Sequence, residues 1–239
     1  MLCHRRHSYT MQALVNRGQP ANEVWYWAAE QVTLYSNTGV VRHTFSDGLG
    51  KIRFGSALTY MPQTLRKTAI TDVSMPSGVT AINSYAFEGC SSLALAELPA
   101  GLTAVYSNAF LNCSSLALTE LPAGLTAIGG GAFRGCSSLV LTELPTGLTA
   151  VANQVFWGCS GVVFNEFPAT VATIGDYAMR YCTGIISLTF LGTPTDISAT
   201  AFNGCGNLAS IRAPWAEGAV AGAPWGATNA TITYNYTPQ

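Results

Sequence analysis

Six cysteines recur every 23 residues, at Cys90, Cys113, Cys136, Cys159, Cys182 and Cys205. Thiols in such a series could ligate a metal, pair as disulfides or carry redox chemistry. None of the six stands in a Cys-x-x-Cys pair, and residues 68–228 hold no histidine to complete a zinc site. Stacked in successive rows, the thiols would lie ~4.8 Å apart with parallel side chains, a poor match to disulfide geometry. The column is therefore expected to be buried and to pack as small hydrophobes. Cys3 falls outside the series and is expected to be free.

Two other columns share the spacing. Glu97, Glu120, Glu143 and Glu166 occupy one position in four successive rows. Carboxylates stacked at ~4.8 Å repel one another, which would favour a bound cation or a basic partner. The simpler expectation is a solvated stripe that discourages edge-to-edge aggregation. The most varied column reads Glu88, Leu111, Arg134, Trp157, Arg180 and Asn203, with Tyr85, Tyr177 and Tyr181 close by in sequence. Arginine and aromatic side chains projecting from a rigid frame are the usual anchors of an interface. Drift on an unselected face would give the same variety, so the two expectations stand level. Arg134, Trp157, Arg180, Tyr177, Tyr181 and Tyr85 are the candidate partner-binding residues.

Catalytic chemistry finds little to work with. The histidines are His4, His7 and His43, all before the repeats, and no nucleophile–base pair has a setting. Gly129-Gly130-Gly131 lacks the lysine and helix of a phosphate loop. No enzyme, cofactor or metal site is expected.

What must position these columns is the frame itself. A fixed period of 23 residues is the mark of a solenoid. With Cys as position 23, seven gapless rows run over residues 68–228. Positions 3 (Ile70, Leu93, Leu116, Leu139), 8 (Leu98, Leu121, Leu144, Phe167), 15 (Ile82, Val105, Ile128, Val151) and 20 (Phe87, Phe110, Phe133, Phe156) are apolar and point inward, building a core that no single row could bury. Pro at position 9 in six rows ends a short strand by removing a backbone donor. Gly at position 11 in four rows supplies a turn. The Ala-Phe-x-x-Cys segment is expected to form one helical or 3₁₀ turn. The strand has two variants: rows 2–5 carry the apolar residue at position 5 (Leu95, Leu118, Leu141, Phe164), whereas rows 1, 6 and 7 carry it at position 6 (Val73, Leu188, Ile211). Either different atoms are buried or the strand shifts locally.

Charge divides the chain near residue 67. Residues 1–67 hold eight Lys/Arg against three acids, and residues 68–239 hold only Arg134, Arg180 and Arg212 against nine. The near-neutral total argues against a nucleic-acid partner. No run approaches the ~18 apolar residues of a membrane span. The opening MLCHRRHSYTMQALVNRG lacks the apolar stretch of a signal peptide, and Met11 is a second candidate start.

The pattern Cys-Ser-Ser-Leu…Leu-Pro-x-Gly-Leu-Thr-x-Ile…Ala-Phe-x-x-Cys, seen in residues 113–136, resembles the BspA-like (Treponema-type) leucine-rich repeat. The likeness covers about two-thirds of the chain. It implies an α/β repeat solenoid, right-handed, of 23-residue units, each a short strand plus a helical or 3₁₀ turn. It also implies a non-enzymatic binding or adhesion module of bacterial type, on a cell surface, secreted or on a virion, with a protein or glycan partner. A structural phage component such as a tail appendage is the alternative. Residues 20–67 resemble the β-rich module that precedes such repeats, with Gly55–Lys67 as a degenerate row in which Lys67 replaces Cys. The resulting division is 1–19, an extension; 20–67, a cap; 68–228, seven repeats; and 229–239, a capping strand.

Overall fold

The structure is a computed structural model that describes residues 19–35 and 39–237. The expectations placed on Cys3, His4, His7 and the extension before residue 19 lie outside the described residues.

The first layer is an antiparallel sheet. Strands β1 (Glu23–Trp27), β2 (Val40–Ser46) and β3 (Leu49–Phe54) lie in the order β2-β3-β1, and Asp72–Ser74 of row 1 adds itself antiparallel to β1. A two-residue turn joins β2 to β3: Asp47 and Gly48 both take positive φ, 51° and 80°, which matches the twist of the flanking strands. Val24, Tyr26, Ile52 and Phe54 face the solenoid and join its core, whereas Trp25, Trp27 and Leu49 form a small separate cluster on the other face. Gly50 is needed there, because a Cβ would fall 1.9 Å from the Tyr26 ring.

Beyond the cap the chain coils. Tyr60–Met61, Ala81–Ile82, Ala104–Val105 and Ala127–Ile128 form one parallel ladder, and Ala150–Val151, Thr173–Ile174 and Asp196–Ile197 form a second at the same row positions. These two-residue strands include core position 15, which the sequence marked as apolar but not as strand. A third parallel sheet, Glu166–Phe167, Ser187–Phe190, Ser210–Arg212 and Thr231–Thr233, covers only the later rows.

The two row variants follow the sheets at this place in the row, the cap sheet at row 1 and the third sheet at the later rows. Where the apolar residue is at position 6 (Val73, Leu188, Ile211), it lies inside a strand. Where it is at position 5, Leu95, Leu118 and Leu141 are still buried, but residues 91–99, 114–122 and 137–145 form no strand. Row 5 is intermediate, with Phe164 buried and a strand only at Glu166–Phe167. Moving the buried residue by one place abandons the pleat rather than inverting it.

The helical turns do not form, which corrects the α/β assignment. Among the described residues the single helical piece is the 3₁₀ turn Gln63–Leu65, before row 1. The Ala-Phe-x-x-Cys corner is a run of turns whose amides alternate in direction. In row 2, Ala109, Leu111 and Cys113 donate backward within the row to Tyr106, Asn108 and Phe110 (3.1–3.2 Å). Asn108, Phe110 and Asn112, between them, donate sideways to Gly130, Ala132 and Arg134 of the next row (2.7–3.0 Å). A helix sends every amide along its own axis. Here residues with positive φ at positions 18 and 22, such as Asn108 (57°) and Asn112 (60°), turn every second one outward.

The core follows the predicted columns. Phe87, Phe110, Phe133 and Phe156 stack with ring centroids 5.2, 5.5 and 5.8 Å apart, nearly parallel. Position 12 (Val79, Leu102, Leu125, Leu148, Val171) is equally buried, a column the sequence reading did not assign. Phe190, Trp215 and Trp225 close the far end in edge-to-face contact. At the near end, the residue beneath Cys90 is Thr68, whose hydroxyl lies 3.6 Å from the thiol; Lys67 does not take that place. Against the 23-residue frame the degenerate row is short by two residues at the ladder, where Met61 pairs with Ile82, and by one at the corner, where Thr68 meets Cys90.

Candidate binding face

The cysteine column is structural. Each thiol is buried and donates to a carbonyl of the preceding row: Cys113 to Phe87, Cys136 to Phe110, Cys159 to Phe133, Cys182 to Phe156 and Cys205 to Met179, at 2.9–3.1 Å. The same carbonyls also accept the amide of their own row's cysteine, so a thiol fills the second lone pair. Burial pushes all six thiols upward, Cys205 to about 11, which removes the nucleophilic thiolate.

The glutamate column is exposed at all four positions. Its expected ladder spacing presumed a strand there, and only Glu166 lies in one. Among the described residues, no three His, Cys, Asp or Glu side chains stand close enough to hold a metal ion. His43 belongs to the cap. Its Nε2 is 2.7 Å from the Tyr26 hydroxyl and its Nδ1 is 3.3 Å from Gln31, and burial lowers its pKa.

The varied column is brought together by the corners. Because positions 18, 21 and 22 of each row lie beside the same positions of the next, side chains from rows 3, 4 and 5 stack on one another. The Arg134 guanidinium carbon lies 4.2 Å from the centre of the Trp157 ring, and that of Arg180 lies 4.6 Å from it. Arg180 also stands 5.0 Å from the Tyr177 ring and 4.7 Å from the Tyr181 ring, and Tyr177 leans on Trp157 at 5.7 Å. Two hydrogen bonds orient the guanidinium groups, Arg134 to Gln154 at 2.8 Å and Arg180 to the Tyr181 hydroxyl at 2.9 Å. No carboxylate pairs with either arginine among the described residues, which hold every Asp and Glu of the chain.

The backbone beneath this cluster is unusual for its side chains. Tyr177 and Tyr181 adopt φ of 54° and 60°. At position 22 other rows hold Gly89, Asn112, Gly135, Gly158 and Gly204, residues that enter this conformation readily; at position 18 Asn108 and Gly131 do so too, whereas Tyr85 and Gln154 share the strain of Tyr177. An aromatic residue there costs on the order of 1–3 kcal/mol. Tyr181 further requires a glycine opposite, since a Cβ on Gly204 would sit 2.4 Å from its ring.

Tyr85 does not join this group. It stands 4.9 Å from Arg66, which also packs on Tyr35 at 4.6 Å and ion-pairs with Glu88. This second cluster ties the cap to row 1. The sequence reading missed it because Arg66 precedes the row frame, and the one-residue register change hides its alignment.

The sequence profile of the BspA type leucine rich repeat region matches in six copies over residues 61–183 and 155–217. Among solved structures, the leucine rich repeat protein TpLRR of T. pallidum is 27% identical over 64% of this chain and 73% of its own, with a TM-score of 0.44. A leucine-rich repeat protein from Bacteroides ovatus is 16% identical over 87% of this chain and 76% of its own, with a TM-score of 0.40. A leucine rich cell surface protein from Faecalibacterium prausnitzii is 24% identical over 68% of this chain and 59% of its own, with a TM-score of 0.34. No curated protein matches the chain.

Proposed function

The chain belongs to the BspA-type leucine-rich repeat family, and on that premise we propose that it is a non-catalytic binding module whose working surface is the corner carrying Arg134, Trp157, Tyr177, Arg180 and Tyr181. One observation carries the reading. Two of the three basic residues after Lys67 are stacked on a single indole, unpaired, over a backbone that tyrosine occupies at a cost. Strained backbone residues cluster at active sites and ligand-binding sites. Arginine and tryptophan with little freedom to reorder are efficient anchors, because less entropy is lost on binding.

The reading includes an extracellular or cell-surface setting, where an adhesion module meets a protein or glycan. No helix among the described residues is long and apolar enough to cross a membrane. The test is an array of glycans and extracellular proteins probed with the intact protein and with Trp157→Ala/Arg180→Ala, both shown to be folded by circular dichroism. A partner whose signal falls at least tenfold in the double variant supports the proposal. Partners bound equally by both proteins would move the binding surface elsewhere.

A further inference from the structure

The stacked arginines carry a statement about the partner's chemistry, one that rests on the proposed function above. Residues 68–239 hold nine acids and three arginines, so most of the solenoid repels anions. At the corner of rows 3–5 the balance is locally reversed. Arg134 and Arg180 flank Trp157, and the nearest acidic neighbour in sequence, Asp176, accepts hydrogen bonds from Ser198 and Thr200 of the following row. A guanidinium without a carboxylate keeps its outward N–H groups for a ligand anion.

The spacing narrows the ligand further. The charges come from rows 3 and 5, so they recur at every second coil, and two coils span roughly 9–10 Å. The ring distances of 4.2 and 4.6 Å set an upper limit on the separation of the two guanidinium groups slightly below that span. An extended peptide lying along the solenoid presents its same-face carboxylates at about 7 Å, alternating with side chains on the other face. A linear polysaccharide advances by about one coil per sugar, so a charge on every second sugar meets a charge on every second coil. The exposed groups bordering the stack suit sugar hydroxyls: Asn153, Thr183 and Asn203 are neutral donors and acceptors, and Tyr181, 45% exposed, offers an aromatic surface.

We infer that the Arg134–Trp157–Arg180 stack, bordered by Tyr177 and Tyr181, is a subsite for a linear acidic polysaccharide that carries one carboxylate or sulfate on every second sugar. Trp157 positions the two guanidinium groups; with an arginine on each side it does not stack on the sugar itself. Tyr181 and the amides supply the uncharged contacts.

Titration calorimetry at low salt tests this with the full chain, using hyaluronan octasaccharide, chondroitin sulfate, neutral dextran and poly-glutamate as probes. Hyaluronan or chondroitin sulfate should bind, weaken as sodium chloride is raised, and lose at least tenfold in affinity in Arg134→Gln/Arg180→Gln. Arg212→Gln, distant from the stack, should leave the affinity unchanged, and dextran should not bind. Both polymers carry a uronate carboxylate on every second sugar, so equal binding or a preference for hyaluronan assigns the anion as that carboxylate, and tighter binding of chondroitin sulfate assigns its added sulfate as an anion that the arginines read. Absence of binding to both polysaccharides overturns the inference, as does equal binding by a folded double variant. Tighter binding of poly-glutamate overturns it in favour of an acidic peptide. The salt series on the unmutated protein reads the charge dependence should the variant not fold. The array distinguishes the two failures: a Trp157-dependent partner that is not anionic leaves the binding-module reading standing and removes only this subsite.

Discussion

At the scale of the residue, the thiols show how one side chain can serve a repeat without chemistry. Their spacing revealed the rows, and their burial was legible because a column without histidine or Cys-x-x-Cys has no other ready use. The bond from each thiol to a carbonyl of the preceding row was not legible, since it depends on where the corner carbonyls point. Burial raises these thiols in the folded state, so the unfolded chain loses its thiol protons first as pH rises. Their stabilising effect is complete below the ordinary thiol value near 8.5 and declines above it, by up to ~1.4 kcal/mol per pH unit for each cysteine. Denaturation midpoints should therefore be level from pH 6 to 8 and fall steeply from about 8.5 to 10.5, with a shallower fall in Cys159→Ala. A flat profile to pH 10 would mean the thiols ionise as easily folded as unfolded. The tyrosines at positive φ give a second residue-scale expectation. Tyr177→Asn restores the residue that row 2 uses, so stability should hold or rise by up to ~1 kcal/mol while partner affinity falls.

At the scale of the element, the corner decides the architecture. The sequence suggested one helical or 3₁₀ turn because the Ala-Phe-x-x-Cys segment is too short for a stable helix alone and would be held by its neighbours. Positive φ at positions 18 and 22 was foreshadowed by Gly135, Gly158 and Asn112, yet Tyr85, Gln154, Tyr177 and Tyr181 in the same columns concealed it. The strand of position 15 was hidden for a related reason: two residues are too few for alternation to show. The phenylalanine stack, by contrast, was plain in the sequence, as bulky side chains at one row position must meet. Phe133 lies between Phe110 and Phe156 and is fully buried. Phe133→Ala should cost about 3–5 kcal/mol, read as the change in denaturation free energy; a cost below ~1 kcal/mol would show that the neighbouring rows collapse into the space.

At the scale of the whole molecule, stability is a sum of row and row-to-row terms, and the ends are closed by different means. The antiparallel cap covers one end through Asp72–Ser74 on β1, and Trp215 with Trp225 covers the other. Because rows 2 and 3 carry the same core residues at positions 3, 5, 8, 12, 20 and 23, excising residues 114–136 should leave a folded protein with an unchanged circular dichroism shape. Truncation before Trp215 should instead expose Phe190 and Phe202 and produce aggregation, seen in size-exclusion chromatography. The constant frame supports a corner that varies from row to row, and the arginine–tryptophan stack gives that corner its character. Its candidates were legible as one varied column, whereas their mutual stacking was not, because the sequence gives no direction for side chains at a turn. Hydroxyl-radical footprinting with and without the best-bound array partner reads the binding corner residue by residue. Tyr181, about as exposed as Tyr60 and Tyr106, should be protected together with the half-buried Trp157 and Tyr177 while Tyr60 and Tyr106 are unchanged; protection elsewhere with these three still oxidised at the free rate would show that the partner does not bind at the corner.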